Sequence, residues 1–221
     1  MPEEKTAVIV VDFQRDFIQV TEGALAVPGT DQGFVQRVQE STQMLKRAGL
    51  PVFATQDWHP PDHVSFFTTH KGKKPFDVIF LRERQQLLWP PHCVQGTEGA
   101  ALMIDERLLD AIVRKGTAVD FDSYSGFQDE GGHRTELHGL LQEREISRIV
   151  VYGIATDYCV RATVLDAVDL GYQVMLVKSL TRGVDPKTTL AALEEMEQRG
   201  IILSNEVDLQ EIRSWGSISK R

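Results

Sequence analysis

Six short apolar runs, rich in β-branched residues, recur through the 221-residue chain, and their spacing constrains the fold more than any other feature. The first, residues 6–11 (TAVIVV), is nearly unbroken and stops at Asp12. The others are 50–55 (LPVFAT), 117–119, 146–154 (ISRIVVYGI), 172–177 (YQVMLV) and 200–203 (GIIL). Runs of this length without polar alternation suit strands buried on both faces, as in parallel sheets. Between them lie stretches with helical spacing. Residues 34–48 end before Gly49, and 158–170 close at Gly171. Residues 186–199 follow Asp185, a good N-cap, and stop at Gly200. Residues 102–113 and 136–141 are further helical candidates. Strands alternating with helices predict an α/β protein, a three-layer sandwich around a central, mostly parallel sheet of about six strands. The length fits a single domain over residues 1–221. One stretch breaks the pattern. Residues 60–97 are irregular, Pro-rich and aromatic, well beyond the roughly 15 residues at which structureless loops become uncommon unless functional or disordered. Their tryptophans and phenylalanines argue against disorder.

Composition excludes several classes. Lys and Arg number 24 against 32 Asp and Glu, a net charge of −8. With no Lys/Arg stripe to offset it, that argues against a nucleic-acid surface. Two cysteines, Cys93 and Cys159, are too few for a disulfide scaffold. The start, MPEEKTAVIVVDF, has acids before a short apolar run and no cleavage-like site, so it does not read as a signal peptide. No apolar run approaches the roughly 20 residues of a membrane helix. A cytoplasmic location without a membrane partner is the expectation.

In an open parallel sheet, ligands bind beyond the carboxyl ends of the strands. Asp12 ends the first run, Asp57 and His59 follow the second, and Cys159 follows the 146–154 run. Cys159 falls where a helical pattern begins. A helix N-terminus there favours a thiolate, and neighbouring amides can hold an oxyanion. The competing reading is a buried structural cysteine. Asp12, His133 and His138 are each candidate bases for it. Lys115 alone reads as a solvated lysine at a helix end, and Asp120 and Asp122 as turn residues.

A second constellation lies in DWHPPDHVSF, residues 57–66. Asp57 and His59 are two apart, so an extended chain turns both to one side. His63 follows across a Pro-Pro turn. His92, in LLWPPHCVQGTEG, again joins a tryptophan and two prolines to a histidine. A carboxylate with imidazoles suits zinc, iron or manganese, and the lack of clustered thiolates argues against a structural Cys-rich zinc site. Otherwise His63, His70 and His92 are loop histidines that never meet.

Five blocks carry a resemblance: VIVVDFQRDF (8–17), ATQDWHPPDHVSF (54–66), LLWPPHCVQGTEGA (87–100), VRKG with DSYSGF (113–127), and VYGIATDYCVRATVLDA (151–167). Through them the chain resembles the nicotinamidases (pyrazinamidases) of the isochorismatase-like cysteine hydrolase superfamily, over most of its length and in the same order. The DWHP and WPPHCVQGT blocks mark the nicotinamidase branch. The resemblance implies a Cys-Asp-Lys triad: Cys159 the nucleophile, Asp12 the acid/base, Lys115 the third member. It implies a cis peptide before Ala155 and an oxyanion hole from the amides of Ala155 and Cys159. It implies one divalent ion on Asp57, His59 and His92, zinc ahead of iron or manganese. His63 is a candidate fourth ligand, reached over a spacer two residues shorter than where its counterpart binds. Residues of about 56–97 then become a metal-binding loop insertion. Phe17 and Trp89 match stacking residues, and Gln14 is placed with them in substrate binding, orienting polar groups near the triad. Arg15 departs from the usual asparagine of VDxQNDF.

The implied reaction is hydrolysis of nicotinamide to nicotinate and ammonia through a cysteine thioester. That reaction serves NAD salvage and pyridine nucleotide biosynthesis, with a side activity on pyrazinamide. Many relatives assemble, which leaves a homo-oligomer open. A relative acting on another amide would favour loss of the Asp-His pair. A partner-binding pseudo-enzyme would favour loss of Cys159, Asp12 or Lys115. This chain keeps all of them.

Overall fold

The structure is a computed structural model and describes residues 5–81 and 84–215. In chain order its elements are β1 (Lys5–Val11), α1 (Gln32–Arg47), β2 (Val52–Asp57), β3 (Val78–Leu81), β4 (Arg84–Leu87), β5 (Ala111–Lys115), α2 (Leu137–Glu143), β6 (Ile146–Ile154), α3 (Arg161–Asp169), β7 (Gln173–Arg182), α4 (Pro186–Gln198), β8 (Ile202–Ser204) and α5 (Leu209–Ser214). Six strands form one sheet in the order β5-β2-β1-β6-β7-β8, with every neighbouring pair parallel. β3 and β4 form a separate antiparallel hairpin.

The unbroken apolar runs are explained by burial on both faces. From β1, Val8 and Val10 share one core with Phe34, Val35, Val38 and Leu45 of α1 and Ile212 of α5. Ala7, Ile9 and Val11 face the other core, with Leu137 and Leu141 of α2, Val164 and Ala167 of α3, and Ala192 and Met196 of α4. Each large aliphatic side chain so buried contributes on the order of 1.5–3 kcal/mol. A charge at Ile9 would therefore be stranded in a dry layer. Helix starts follow their caps. Asp31 accepts from the Phe34 amide at 2.7 Å to open α1, and Asp185 caps α4 with Pro186 in its first turn.

β1 lies centrally. The chain runs outward from it to β2 and β5, returns across it to β6, then continues the other way to β8. The carboxyl ends of β1 and β6 thus form the topological switch point, the crevice where open α/β sheets bind ligands.

The segment between β2 and β6 differs from its sequence-based expectation. Residues 117–119 form no strand, and 102–113 form no α-helix, only a 3-10 turn at Glu106–Leu108; the third strand outward is β5. The apolar residues at 102, 108, 109, 112 and 113 mimic helical spacing along a chain that is mostly extended. Asp110 decides the outcome. Its amide donates to Val52 O at 2.7 Å, and its Oδ2 accepts from the Val52 amide at 2.7 Å and meets Lys46 Nζ at 2.5 Å. That clamp starts the parallel ladder, which then pairs Asp57 with Lys115. β7 also extends five residues past its apolar run, to Arg182. The described residues of the long 60–97 stretch are held by main-chain bonds, among them Trp89 N to Ser65 O at 2.8 Å and His59 N to Cys93 O at 3.0 Å. Among the described residues, no helix is long and apolar enough to cross a membrane.

Candidate active site

Strand ends build the first half of the site. Asp12 follows β1 directly, Asp57 is the last residue of β2, and Lys115 the last of β5. Cys159 sits in a π-helical turn, Thr156–Val160, between β6 and the N-terminus of α3. All four are buried. Lys115 Nζ lies 2.9 Å from Asp12 Oδ2, 2.6 Å from Asp57 Oδ1, 2.6 Å from the Ser123 carbonyl and 3.5 Å from Cys159 Sγ. Lys115 is therefore no solvated helix-end residue: it ends a strand and joins three reactive groups. Thr55, missed in the sequence, donates its hydroxyl to Asp12 Oδ1 at 2.6 Å and accepts the Asp12 amide at 3.1 Å. Asp12 Oδ2 touches Lys115 without a well-directed hydrogen bond, so a lone pair remains for another proton. Carboxylate oxygens of Asp12 and Asp57 and the Cys159 sulfur lie within 4.8 Å of one another.

Burial and charge set the protonation states. Burial pushes Asp12 up and Lys115 pulls it down; it settles at about 6. Burial acts against Asp57 as well, but Lys115 and His59 outweigh it and hold that carboxyl well below the usual range. Lys115 is desolvated, yet Asp12 and Asp57 raise it far above an ordinary lysine. Burial, then Asp12 working against Lys115, keeps the Cys159 thiol well up, so the sulfur rests protonated. The site thus pairs a neutral thiol with a carboxylate near neutrality, the arrangement of a nucleophile and its base.

The second half converges beside it. Ligand atoms of Asp57, His59 and His92 lie within 4.8 Å of one another, and all three residues are buried. His59 Nδ1 lies 3.0 Å from Gly116 O and His92 Nδ1 2.8 Å from Pro90 O. A carbonyl only accepts, so each Nδ1 carries a hydrogen. His92 leaves Nε2 bare, whereas burial opposes but Asp57 raises His59, whose Nε2 must be free of its proton to take an ion. Asp57 Oδ2 is 3.6 Å from His59 Nε2, close to the roughly 3.3 Å between ligands of a tetrahedral ion with bonds of about 2.0 Å. The donor set fits a borderline divalent ion. Burial, then His59, pushes His92 down to about 4, keeping it neutral as a ligand must be. Gly116 is needed here: its φ is +62°, and a Cβ would meet His59 Cε1 at 2.3 Å.

His63 stands beside this trio, its ring centre 4.3 Å from that of His59. Its nitrogens are engaged elsewhere. Nε2 donates to Phe121 O at 3.0 Å, which leaves Nδ1 to accept from Ser65 Oγ at 2.8 Å. Its one free lone pair, on Nδ1, faces Ser65 Oγ. Gln14, expected in substrate binding as a residue that orients polar groups near the triad, has its side chain on main-chain groups. Its Nε2 donates to Asp57 O at 2.8 Å and Ala100 O at 2.9 Å, and its Oε1 accepts from the Asp57 amide at 2.8 Å. It clamps the Asp57 main chain and is not a wall of the pocket. Of the other candidate bases, His133 pairs with Asp129 at 2.9 Å on the surface, and His138 bonds the Tyr172 hydroxyl at 2.9 Å. Neither approaches Cys159.

Both halves open into one narrow pocket of about 40 Å³. Asp57, His59 and His92 line one side, and Cys159 with Ala155 another. The Ile154–Ala155 peptide is cis. Phe17 and Trp89 supply apolar walls, Phe17 with its ring centre 5.4 Å from that of His92. Tyr124 and Tyr158 complete the aromatic lining: Trp89 Nε1 donates to Tyr124 Oη at 3.1 Å, and Tyr158 meets the Trp89 ring edge-on at 5.0 Å. Both stand within the blocks DSYSGF and GIATDYC, the only sequence signal for them. The chemistry on offer is nucleophilic attack on an electrophilic group of a flat molecule held between a candidate metal site and a thiol.

Known proteins share this arrangement of chain. The isochorismatase domain family matches residues 6–206. A nicotinamidase of Escherichia coli is 40% identical over 210 residues, covering 93% of this chain and 97% of that protein. Among solved structures, a nicotinamidase/pyrazinamidase of Acinetobacter baumanii superposes with a TM-score of 0.82 at 36% identity, covering 92% of this chain and 97% of that one. The pyrazinamidase of Pyrococcus horikoshii in complex with zinc superposes with a TM-score of 0.74 at 40% identity, covering 91% and 98%.

Proposed function

The chain belongs to the isochorismatase domain family, and from that premise we propose that it is an amidohydrolase converting nicotinamide and water to nicotinate and ammonia. The observation that carries this reading is Lys115, whose one amine touches Asp12, Asp57 and Cys159 and so joins a nucleophile–base pair to a candidate metal site beside one narrow, aromatic-walled pocket. The reaction places the protein in NAD salvage, and pyrazinamide, nearly isosteric with nicotinamide, is a side substrate.

Asp57, His59 and His92 would hold a divalent ion, zinc in the first instance, while His63 packs against the His59 ring and bonds Phe121 and Ser65. When bound, the ion supplies a Lewis-acid contact for the ring nitrogen. Phe17 and Trp89 press on the ring faces; such packing adds about 1 kcal/mol beyond area burial. The carboxamide then lies over Cys159, and holding it there removes much of the entropic cost of the encounter.

Asp12, with a pKa of about 6, is about nine-tenths ionised at neutral pH. It takes the thiol proton as sulfur attacks the amide carbon. The negative oxygen is received by the amides of Ala155 and Cys159. Asp12 passes its proton to the amide nitrogen, the C–N bond breaks and ammonia leaves. Water then attacks the thioester carbon while Asp12 accepts one of its protons. The C–S bond breaks, the sulfur takes that proton back from Asp12, and the acid leaves as nicotinate, its remaining proton passing to the ammonia or to solvent. Lys115 stays protonated throughout and offsets the negative charge that passes between Asp12 and Cys159.

Ammonia release from nicotinamide by the zinc-loaded protein tests this reading, together with Cys159→Ala. The expected result is turnover in the parent, with an acyl adduct on Cys159 trapped in acid and seen by mass spectrometry, and none in the variant. Zinc-loaded parent protein that releases no ammonia sinks the assignment.

A further inference from the structure

The mechanism leaves Asp16 unused, yet the fold builds carefully around it. Asp16 lies in the short turn Arg15–Phe17, four residues after the proposed base. Its Oδ2 accepts from the Cys93 amide at 2.7 Å, and its Oδ1 meets the Ala24 amide at 3.3 Å. Cys93 immediately follows His92. On its other side the Cys93 carbonyl accepts from the His59 amide at 3.0 Å, and the His59 carbonyl accepts from Gln95 at 2.9 Å. The Cys93 main chain is therefore a joint. It is covalently attached to one histidine, hydrogen-bonded to the other, and gripped by Asp16.

Two observations show that this joint needs an external hold. Cys93 is buried and has φ of +47°, a left-handed conformation that residues with a Cβ disfavour. Removing Asp16 would also leave its buried amide without a partner, and an unpaired buried donor reorganises to find one. The surroundings are shaped to let the carboxylate in. A Cβ at Gly99 would meet Asp16 Oδ2 at 2.2 Å, while Gly23, whose Cβ would meet the Asp16 main-chain carbonyl at 2.3 Å, lets the turn itself close. Gly99 is bare for reach: among the glycines it is not one with positive φ. Gln14, two residues earlier, grips the Asp57 main chain in the same way. One loop thus supports all three converging side chains.

We propose that Asp16 is a positioning residue for the metal site: through the Cys93 main chain it sets His92 and His59 at the separation a divalent ion requires. The inference rests on the reading of Asp57, His59 and His92 as metal ligands. Residues one bond removed from the ligands commonly change metal affinity about 10–100-fold when lost.

The test is Zn²⁺ affinity of the full chain, measured by competition with a chromophoric chelator. Asp16→Ala should weaken Zn²⁺ binding about 10–100-fold. Asp16→Asn should restore it to within about threefold, because an amide oxygen can still accept from the Cys93 amide. Gly99→Ala, which leaves the carboxylate intact but drives it from its place, should weaken binding as Asp16→Ala does, and it carries the test if Asp16→Ala fails to fold. A purely structural loss would lower the melting temperature of the metal-free protein without this rescue pattern. Parent affinity in both Asp16→Ala and Gly99→Ala, or equal loss in Asp16→Asn and Asp16→Ala, overturns the proposal. His92→Ala separates the two readings. If it binds Zn²⁺ like the parent, the ligand assignment fails and this proposal falls with it. If it loses Zn²⁺ while the Asp16 and Gly99 variants do not, only the positioning role fails.

Discussion

Replacing Lys115 by methionine would test the centre of the site most directly, because it keeps length and burial while removing one charge. Lys115 Nζ bridges Asp12 Oδ2 at 2.9 Å and Asp57 Oδ1 at 2.6 Å, with none of these side chains more than 4% exposed. Removing one partner of a buried ion pair costs about 3–5 kcal/mol, because it strands the other. Here two carboxylates are stranded, and the cost depends on pH. In the parent, Asp12 is raised to about 6, so its contribution to stability is full below the unfolded carboxylate value and lost as pH rises to about 6. Without Lys115, the largest influence lowering it, the folded value climbs further and the loss continues past pH 6. Asp57 works the other way. Lys115 holds it low, so the parent gains stability above the unfolded value, and the variant forfeits that gain. Both effects enlarge the deficit as pH rises. The expected deficit is about 3–5 kcal/mol at pH 7 and about 1–2 kcal/mol smaller at pH 5. Urea titrations at both pH values, with EDTA present so that the carboxylates answer to Lys115 alone, measure it. Ammonia release at pH 7 should fall at least about 1000-fold, since a protonated Asp12 can accept nothing. A deficit flat in pH, or activity within tenfold of the parent, would refute the reasoning.

Other outcomes follow from the same geometry. In the parent, kcat/KM for nicotinamide should fall about tenfold per pH unit below about pH 6, as Asp12 takes up a proton, and level off above it; a flat profile from pH 5 to 7 would remove Asp12 as base. Gly116→Ala should weaken Zn²⁺ binding and lower the melting temperature, because the new Cβ meets His59 Cε1 at 2.3 Å from a backbone with φ of +62°; chelator competition and calorimetry read both. Stripping the ion with a chelator should raise the KM for nicotinamide and Zn²⁺ should reverse it; turnover indifferent to the ion would detach the Asp-His site from substrate binding.

Much of the site was legible in the sequence because strand ends are. An apolar run that stops at Asp12, and others that stop just before Asp57 and Cys159, already place three reactive residues at one sheet edge. The spacing of Asp57 and His59 likewise carries its own geometry, since i and i+2 share a face of an extended chain. Lys115 shows where that logic stops. Periodicity over residues 102–113 suggests a helix, and a lysine at a helix end suggests solvent. The Asp110–Val52 clamp instead draws the segment into the sheet and pairs Lys115 with Asp57. That bond spans 58 residues of sequence, and no local pattern encodes it.

Loop packing decided the remainder. By local pattern alone His63 and His92 look alike, each a histidine beside prolines in an aromatic stretch, and only the family resemblance ranks His92 first. In the fold the Phe121 carbonyl takes His63 Nε2, whereas the Pro90 carbonyl takes His92 Nδ1 and leaves its Nε2 bare. Which nitrogen keeps a lone pair depends on which carbonyl arrives, and that depends on chain brought from tens of residues away. The sequence by itself therefore determined the parallel α/β sheet, its active edge and the residue types gathered there, because these follow from burial patterns along a few consecutive residues. The resemblance placed Lys115 in the triad, but only the tertiary structure decided that its amine also reaches Asp57, that Gln14 and Asp16 hold main chain, and which imidazole nitrogens converge. Each of those outcomes is a contact between segments whose meeting is set by ladder register and buried hydrogen bonds, and neither has a local signature.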